Sequence, residues 1–179
     1  MSAVKKEYFP SYTYEEYKLW DGDWELIYGI PYAMSPAPMI KHQKISNKIA
    51  RYLDEALEEC EVCQALLPVD WKIDDSTVVQ PDNLVICHTP RFDAYIKKAP
   101  KIIFEILSAS TASKDLNLKY DLYEQEGVNY YIIVDPKDMI AKVYILKDGK
   151  YIKLCDAYED SLLFELEKCS FDFDFSKIW

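Results

Sequence analysis

Nowhere along its 179 residues does the chain run about 18 apolar residues together, the length that a membrane-spanning helix requires. Its first residues, MSAVKKEYFP, also lack the apolar stretch of a secretory signal. These absences lead us to expect a soluble, cytoplasmic protein with no membrane partner. Positive charge is scarce as well. A formal net charge of -10 disfavours a passive binder of DNA or of anionic membrane, because sequence-independent affinity for nucleic acid comes from Lys and Arg neutralising phosphates. A basic groove can still form locally. There is no internal repeat, low-complexity tract or Pro/Gly/Ser linker, and 179 residues at 50% hydrophobic content suffice for one real core but are few for two ordinary domains. The expectation is one domain over residues 1–179.

Five cysteines is an odd number, and in a reducing compartment they read as thiols rather than as a disulfide framework. Only Cys60 and Cys63 have suggestive spacing. A structural zinc site usually draws on two such pairs, and Cys87, Cys155 and Cys169 form no second one. A thioredoxin-like pair would precede a helix, whereas CEVC follows one.

What is present is a pattern of alternating elements. Thr13 and Glu16 fit a capping box for a short helix ending near Trp20, and WELIYGIPYAM then reads as a hairpin around Gly29 and Pro31. Between about Met39 and Glu59, Ile45, Ile49, Leu53 and Ala56 recur at threes and fours, as on an amphipathic helix that covers a sheet. Three β-rich runs follow, at about 62–73, 78–87 and 101–107. A second helix is expected in SKDLNLKYDLYEQEG, capped by Ser113 or a neighbouring hydroxyl and closed by Gly127. VNYYIIVDP is a buried strand, and a last hairpin turns at Asp148-Gly149. Strand, helix and strand at this spacing imply a parallel pairing across the second helix. The fold class is therefore α/β, with a mixed sheet of α+β character.

Within this pattern two acids are out of place. The run IIFEIL is built for burial, yet Glu105 shares a strand face with Ile103 and Leu107 while Ile102, Phe104 and Ile106 take the other. The run VVQPDNLVIC repeats the anomaly: Asp82 lies in line with Leu84 and Ile86, after a proline that no central ladder accommodates comfortably. If the two runs adjoin, their charges converge. Two carboxylates about 4 Å apart repel by roughly 4 kcal/mol at an effective dielectric near 20, and burying each costs several more. A retained proton, a basic side chain or a divalent cation can compensate, and the cation answers both anomalies together. Lys119 is the best basic candidate, since Leu116, Lys119, Tyr120 and Tyr123 fall on one helical stripe that packs inward. Asp115 stands one turn earlier, so a lysine at the helix edge paired with Asp115 is the alternative. His42, one turn before Ile45, reads first as a buried, hydrogen-bonded histidine.

Asp82 after a proline, then Glu105 in an apolar strand, in the order helix-strand-strand-strand-helix-strand, resembles the PD-(D/E)XK nuclease superfamily. More closely, the chain resembles the Uma-two family of restriction endonucleases. The matching pieces are TYEEYKLW, WELIYGIPYAMSPAP followed by His42, QPDNLVIC, APKIIFEILSAST, the spacing of Asp115 to Lys119, and GVNYYIIVDP. The resemblance implies a restriction-endonuclease-like core with an added amino-terminal helix and hairpin and a carboxy-terminal hairpin. It implies Mg²⁺ or Mn²⁺ held by Asp82 and Glu105, DNA as substrate, and assembly as a homodimer, with the Tyr- and Trp-rich amino-terminal hairpin as a contact surface. The superfamily's lysine normally stands two residues after the glutamate, where this chain has Leu107. The family's replacement on the following helix makes Lys119 the matching catalytic residue. The resemblance adds Glu25 as a third acid and leaves His42 and Asp115 as residues that support the others. From the residues alone Glu25 is equally a solvated hairpin acid, because Trp24, Leu26 and Tyr28 form the apolar face and Glu25 points away from them.

Overall fold

The structure, a computed structural model, describes residues 10–34, 39–89, 94–108 and 114–179. A short helix α1 (Tyr14–Tyr17) opens it, with the Glu16 carboxylate accepting from the Thr13 amide at 2.8 Å and the Thr13 hydroxyl at 2.9 Å. The hairpin β1 (Trp24–Ile27) and β2 (Ile30–Ala33) follows, then the long helix α2 (Ile40–Ala56). The expected run at 62–73 divides into β3 (Cys63–Leu66) and β4 (Trp71–Asp74), separated by a segment containing Pro68, which cannot donate to a ladder. The run at 78–87 divides too, into β5 (Thr77–Val79) and β6 (Asn83–Cys87), around Gln80, Pro81 and Asp82.

These breaks send the strands to different sheets. One sheet has the order β2-β1-β5-β4. The other comprises β3, β6, β7 (Ile102–Ile106), β8 (Tyr130–Asp135), β9 (Ile140–Lys147) and β10 (Lys150–Ala157), ordered β10-β9-β8-β7-β6-β3. Strands β7 and β8 pair parallel, joined through a wide π turn at Lys114–Leu118 and helix α3 (Lys119–Gln125). Removing the β4–β5 excursion leaves helix, three strands, helix, strand, in the order that the sequence implies. Gly127 ends α3 at φ +82°, a left-handed conformation that costs glycine least. Asp148 (φ 51°) and Gly149 (φ 75°) make the tight turn of the β9–β10 hairpin. A further hairpin, β11 (Ser161–Phe164) with β12 (Phe171–Asp174), was not among the expected elements.

The six-stranded sheet is covered on both faces, which is why its central strands read as continuous apolar runs. Ile102, Phe104 and Ile106 pack with Ile45, Ile49 and Leu53 of α2 and with Phe164, Phe173 and Phe175. Ile103, Leu84 and Ile86 pack on the opposite face with Leu122 and Tyr123 of α3. The alternation read from IIFEIL is realised, with Glu105 on the α3 face.

The expectation of free thiols is overturned for four cysteines. Cys60 pairs with Cys169 across 109 residues of chain, and Cys63 with Cys87 on the neighbouring strand, leaving Cys155 free. Sequence spacing showed only the CEVC pair; the fold supplies the other two sulfurs from distant segments.

Candidate active site

The site lies on the seam between the two large sheets, and the Gln80-Pro81-Asp82 segment crosses that seam. Pro81 ends β5 pairing in one sheet, and β6 begins in the other. Asn83 then pairs with Phe104, so continuing the antiparallel register sets Asp82 opposite Glu105. Asp82 Oδ2 accepts from the Ile106 amide at 2.7 Å and lies 3.1 Å from His42 Nε2. Its side chain keeps 16% of its exposure, so this acid faces the solvent that a substrate would displace. The two acids singled out in the sequence therefore occupy adjoining positions, and His42, from the first turn of α2, orients one of them.

Glu105 is 3% exposed. Its Oε1 accepts from Lys119 Nζ at 2.8 Å and from the Tyr123 hydroxyl at 2.7 Å. Lys119 is itself buried, at 1% exposure, and also lies 2.7 Å from Glu25 Oε1. The reading of a lysine emerging at the helix edge does not hold. Its stripe differs from the expected one, because the π turn at 114–118 shifts the helical phase: Lys119, Leu122 and Tyr123 face inward, while Leu116 is 37% exposed. Asp115 lies in that turn, and its side chain falls outside the described residues, as do Ser113 and the Ser110 and Thr111 hydroxyls that precede it.

Glu25 is the larger correction. Strand alternation does turn it away from Trp24, as the sequence indicates, yet it is fully buried rather than solvated. What covers it comes from far along the chain. Oε1 accepts from the Gln80 amide at 2.9 Å and from Lys119, and Oε2 accepts from Lys114. Burial pushes its pKa up, but the ammonium groups of Lys119 and Lys114 more than offset this and hold it below the ordinary carboxylate value. Lys114 was not foreseen. Residues five apart diverge by about 140° on an ordinary α-helix, so α-periodicity would not group Lys114 with Lys119; a π turn brings such positions closer to register. Lys114 also lies over the Tyr32 ring at 5.6 Å.

Glu25 on β1 thus holds Lys114 and Lys119, Glu105 on β7 shares Lys119, and Asp82 stands across the strand pair from Glu105 with His42 and the Ile106 amide as its partners. The donor set is oxygen-rich and suits a hard divalent cation. Both contacts of Asp82 fall on Oδ2, which leaves Oδ1 with no hydrogen bond from the described residues. Lys97, Lys98 and Lys101, close together in the sequence just before β7, have partners elsewhere: Lys101 pairs with Glu167 at 2.9 Å, Lys98 donates to the His88 carbonyl at 3.3 Å, and Lys97 lies over the Tyr95 ring.

The sequence profile of the family described as Uma2, putative restriction endonuclease, matches residues 14–167. No curated protein matches the chain. Among solved structures, the fold is similar to that of a putative nuclease belonging to DUF820 from Anabaena variabilis ATCC 29413, with a TM-score of 0.74 at 17% identity over 93% of this chain and 96% of that one. At that identity the likeness speaks for the fold, and the fold is restriction-endonuclease-like. With a profile spanning nearly all of the described elements, the chain belongs to the Uma2 family of restriction endonuclease-like proteins.

Proposed function

We propose that this protein is a metal-dependent nuclease that hydrolyses DNA phosphodiester bonds, with Asp82 and Glu105 as the ligands of Mg²⁺ or Mn²⁺. The observation that carries this reading is the register that sets Asp82, which is partly solvent-accessible, across from Glu105 with Lys119 paired to that glutamate. A divalent cation there supplies positive charge that polarises the phosphodiester and acidifies water near neutral pH. The protein's own groups do the remainder. The Ile106 amide and His42 fix the Asp82 carboxylate, so that its second oxygen is aimed without rotational freedom. Tyr123 holds Glu105 in the same way. Lys119, held between Glu105 and Glu25, is placed to orient a water or to offset charge developing on the phosphate in the transition state. Glu25 holds Lys119 and Lys114 in position.

A second reading has one specific observation in its favour. Lys119 already bridges both buried carboxylates, as it would in a catalytically inactive module of the same fold that binds protein or nucleic acid. The two separate in a plasmid assay with Mg²⁺, Mn²⁺ or EDTA. Metal-dependent nicking is expected, falling by at least about 10²-fold in Asp82→Ala and in Glu105→Ala, the scale of losing a group that acts on transition-state charge. Equal activity in wild type and both variants would sink the assignment of these residues, and absence of activity on plasmid, linear DNA and RNA would favour the binding module.

A further inference from the structure

Four of the five cysteines gather at one edge of the six-stranded sheet, away from the acids. Cys60 follows α2, Cys63 opens β3, Cys87 ends β6 directly opposite Cys63, and Cys169 precedes β12. The two disulfides are not independent. The sulfurs of Cys60, Cys63 and Cys169 all lie within 4.8 Å of one another, and the fourth, that of Cys87, is bonded to Cys63 from the neighbouring strand. A tetrahedral zinc-thiolate centre has bonds of about 2.3 Å and therefore sulfurs about 3.8 Å apart. Such a centre needs only small side-chain rotations from this arrangement once the S–S bonds open.

Two further observations point to a metal. The Cys63 amide donates to Cys60 Sγ at 3.2 Å, which places a backbone N–H on the first sulfur of a C-x₂-C turn. A donor so placed favours a thiolate over a thiol. Cys63 and Cys87 are 5% and 8% exposed, and the other two are partly buried, so the group is closed to substrate-sized molecules, as a structural site is. Two disulfides alone would require no shared centre, yet both sulfurs of one, Cys60 and Cys169, lie together with Cys63 of the other.

We propose that, in the reduced protein, Cys60, Cys63, Cys87 and Cys169 bind one zinc ion as a closed four-thiolate structural site. Reduction by a dithiol delivers two electrons and two protons to each disulfide and leaves the dithiol oxidised. Zinc then takes the place of the thiol protons, which pass to solvent. The ion joins the α2–β3 turn, the end of β6 and the segment before β12, the last of which lies far along the chain from the others. The site involves none of the acids at the seam, so this inference stands apart from the nuclease reading.

The full-length chain, reduced anaerobically with a phosphine, desalted and titrated with Zn²⁺ against a chromophoric chelator, is expected to keep one equivalent. Its native mass rises by one zinc. With Co²⁺ in place of Zn²⁺, the spectrum shows sulfur-to-metal charge transfer and the intense visible bands of tetrahedral cobalt. This spectrum also distinguishes the thiolate site from oxygen ligands at the seam, and it needs no variant that fails to fold. Cys87→Ser and Cys169→Ser are expected to lose affinity by more than the roughly 10–100-fold that follows even from disturbing residues that merely orient ligands; Cys155→Ser, on the opposite edge strand, keeps it. The inference is overturned if the reduced wild type shows no sulfur-to-cobalt band, or if both ligand variants bind as tightly as wild type.

Discussion

Glu25 shows how a residue can be visible in a sequence and still be misjudged. Its neighbours Trp24 and Leu26 define one face of β1, and strand alternation correctly sends Glu25 to the other. That face is not solvent because Lys114 and Lys119, some ninety residues later, close over it. Asp82 and Glu105 were legible for the opposite reason: each interrupts an apolar run, and an acid there needs a compensating partner wherever the chain goes. Lys119 stood between these cases, as its inward stripe was readable and its partners were not. The Glu25 environment also fixes a pH response. Its folded pKa is depressed below 4.5, so its stabilising contribution is present above the unfolded value and is lost as pH falls through the folded one. Glu25→Gln removes this linkage. The variant should melt lower than wild type at neutral pH, because two lysines lose a buried counter-charge, and its melting temperature should depend less steeply on pH below about 4.5. Parallel melting curves across that range provide the check; identical slopes would show that Glu25 does not carry the linkage.

At the scale of elements, the hairpin that presents Glu25 depends on a glycine with two separate constraints. Gly29 sits at φ +78°, and a Cβ built there would overlap Ser11 Oγ. Gly149, at the tip of the β9–β10 turn, has φ +75° with nothing within 4 Å. Alanine at Gly149 therefore meets the backbone penalty alone, about 1 kcal/mol, whereas at Gly29 it adds a steric one. Urea unfolding should rank Gly29→Ala as the more destabilised, and equal losses would mean that Ser11 gives way freely. Other element features were readable to different degrees. The parallel β7–β8 pairing across α3 followed from spacing, because such a crossover leaves few alternatives. The splitting of 62–73 and 78–87 into strands of different sheets was marked by Pro68 and Pro81, although a proline indicates where a ladder stops and not where the chain goes next. The β11–β12 hairpin is blurred in one strand only: Leu162 and Leu163 interrupt the alternation of β11, whereas Phe171 and Phe173 alternate with Asp172 and Asp174 in β12, and its packing partners lie on α2 and β7.

Across the whole molecule, the formal net charge of -10 sets the terms for any encounter with DNA. The lysines closest to the acids, Lys114 and Lys119, are spent on carboxylates, and Lys101 is paired with Glu167. Among the described residues little unpaired positive charge remains beside the acids to draw in a polyanion, so under the proposed function a divalent cation serves association as well as chemistry. Filter retention of a DNA duplex at low salt should be weak in EDTA and rise with Ca²⁺, which occupies oxygen sites but commonly supports binding without turnover. Retention in EDTA as strong as in Ca²⁺ would point instead to a basic surface independent of the acids. One ammonium, that of Lys119, rivets a strand of the four-stranded sheet to a strand of the six-stranded one. Any cation that pulls Glu105 away from it slackens this joint. Loading of the centre should therefore be audible at a distance, as altered amide exchange in the amino-terminal hairpin, which contributes neither proposed ligand and yet is tied to Glu105 through Glu25 and Lys119.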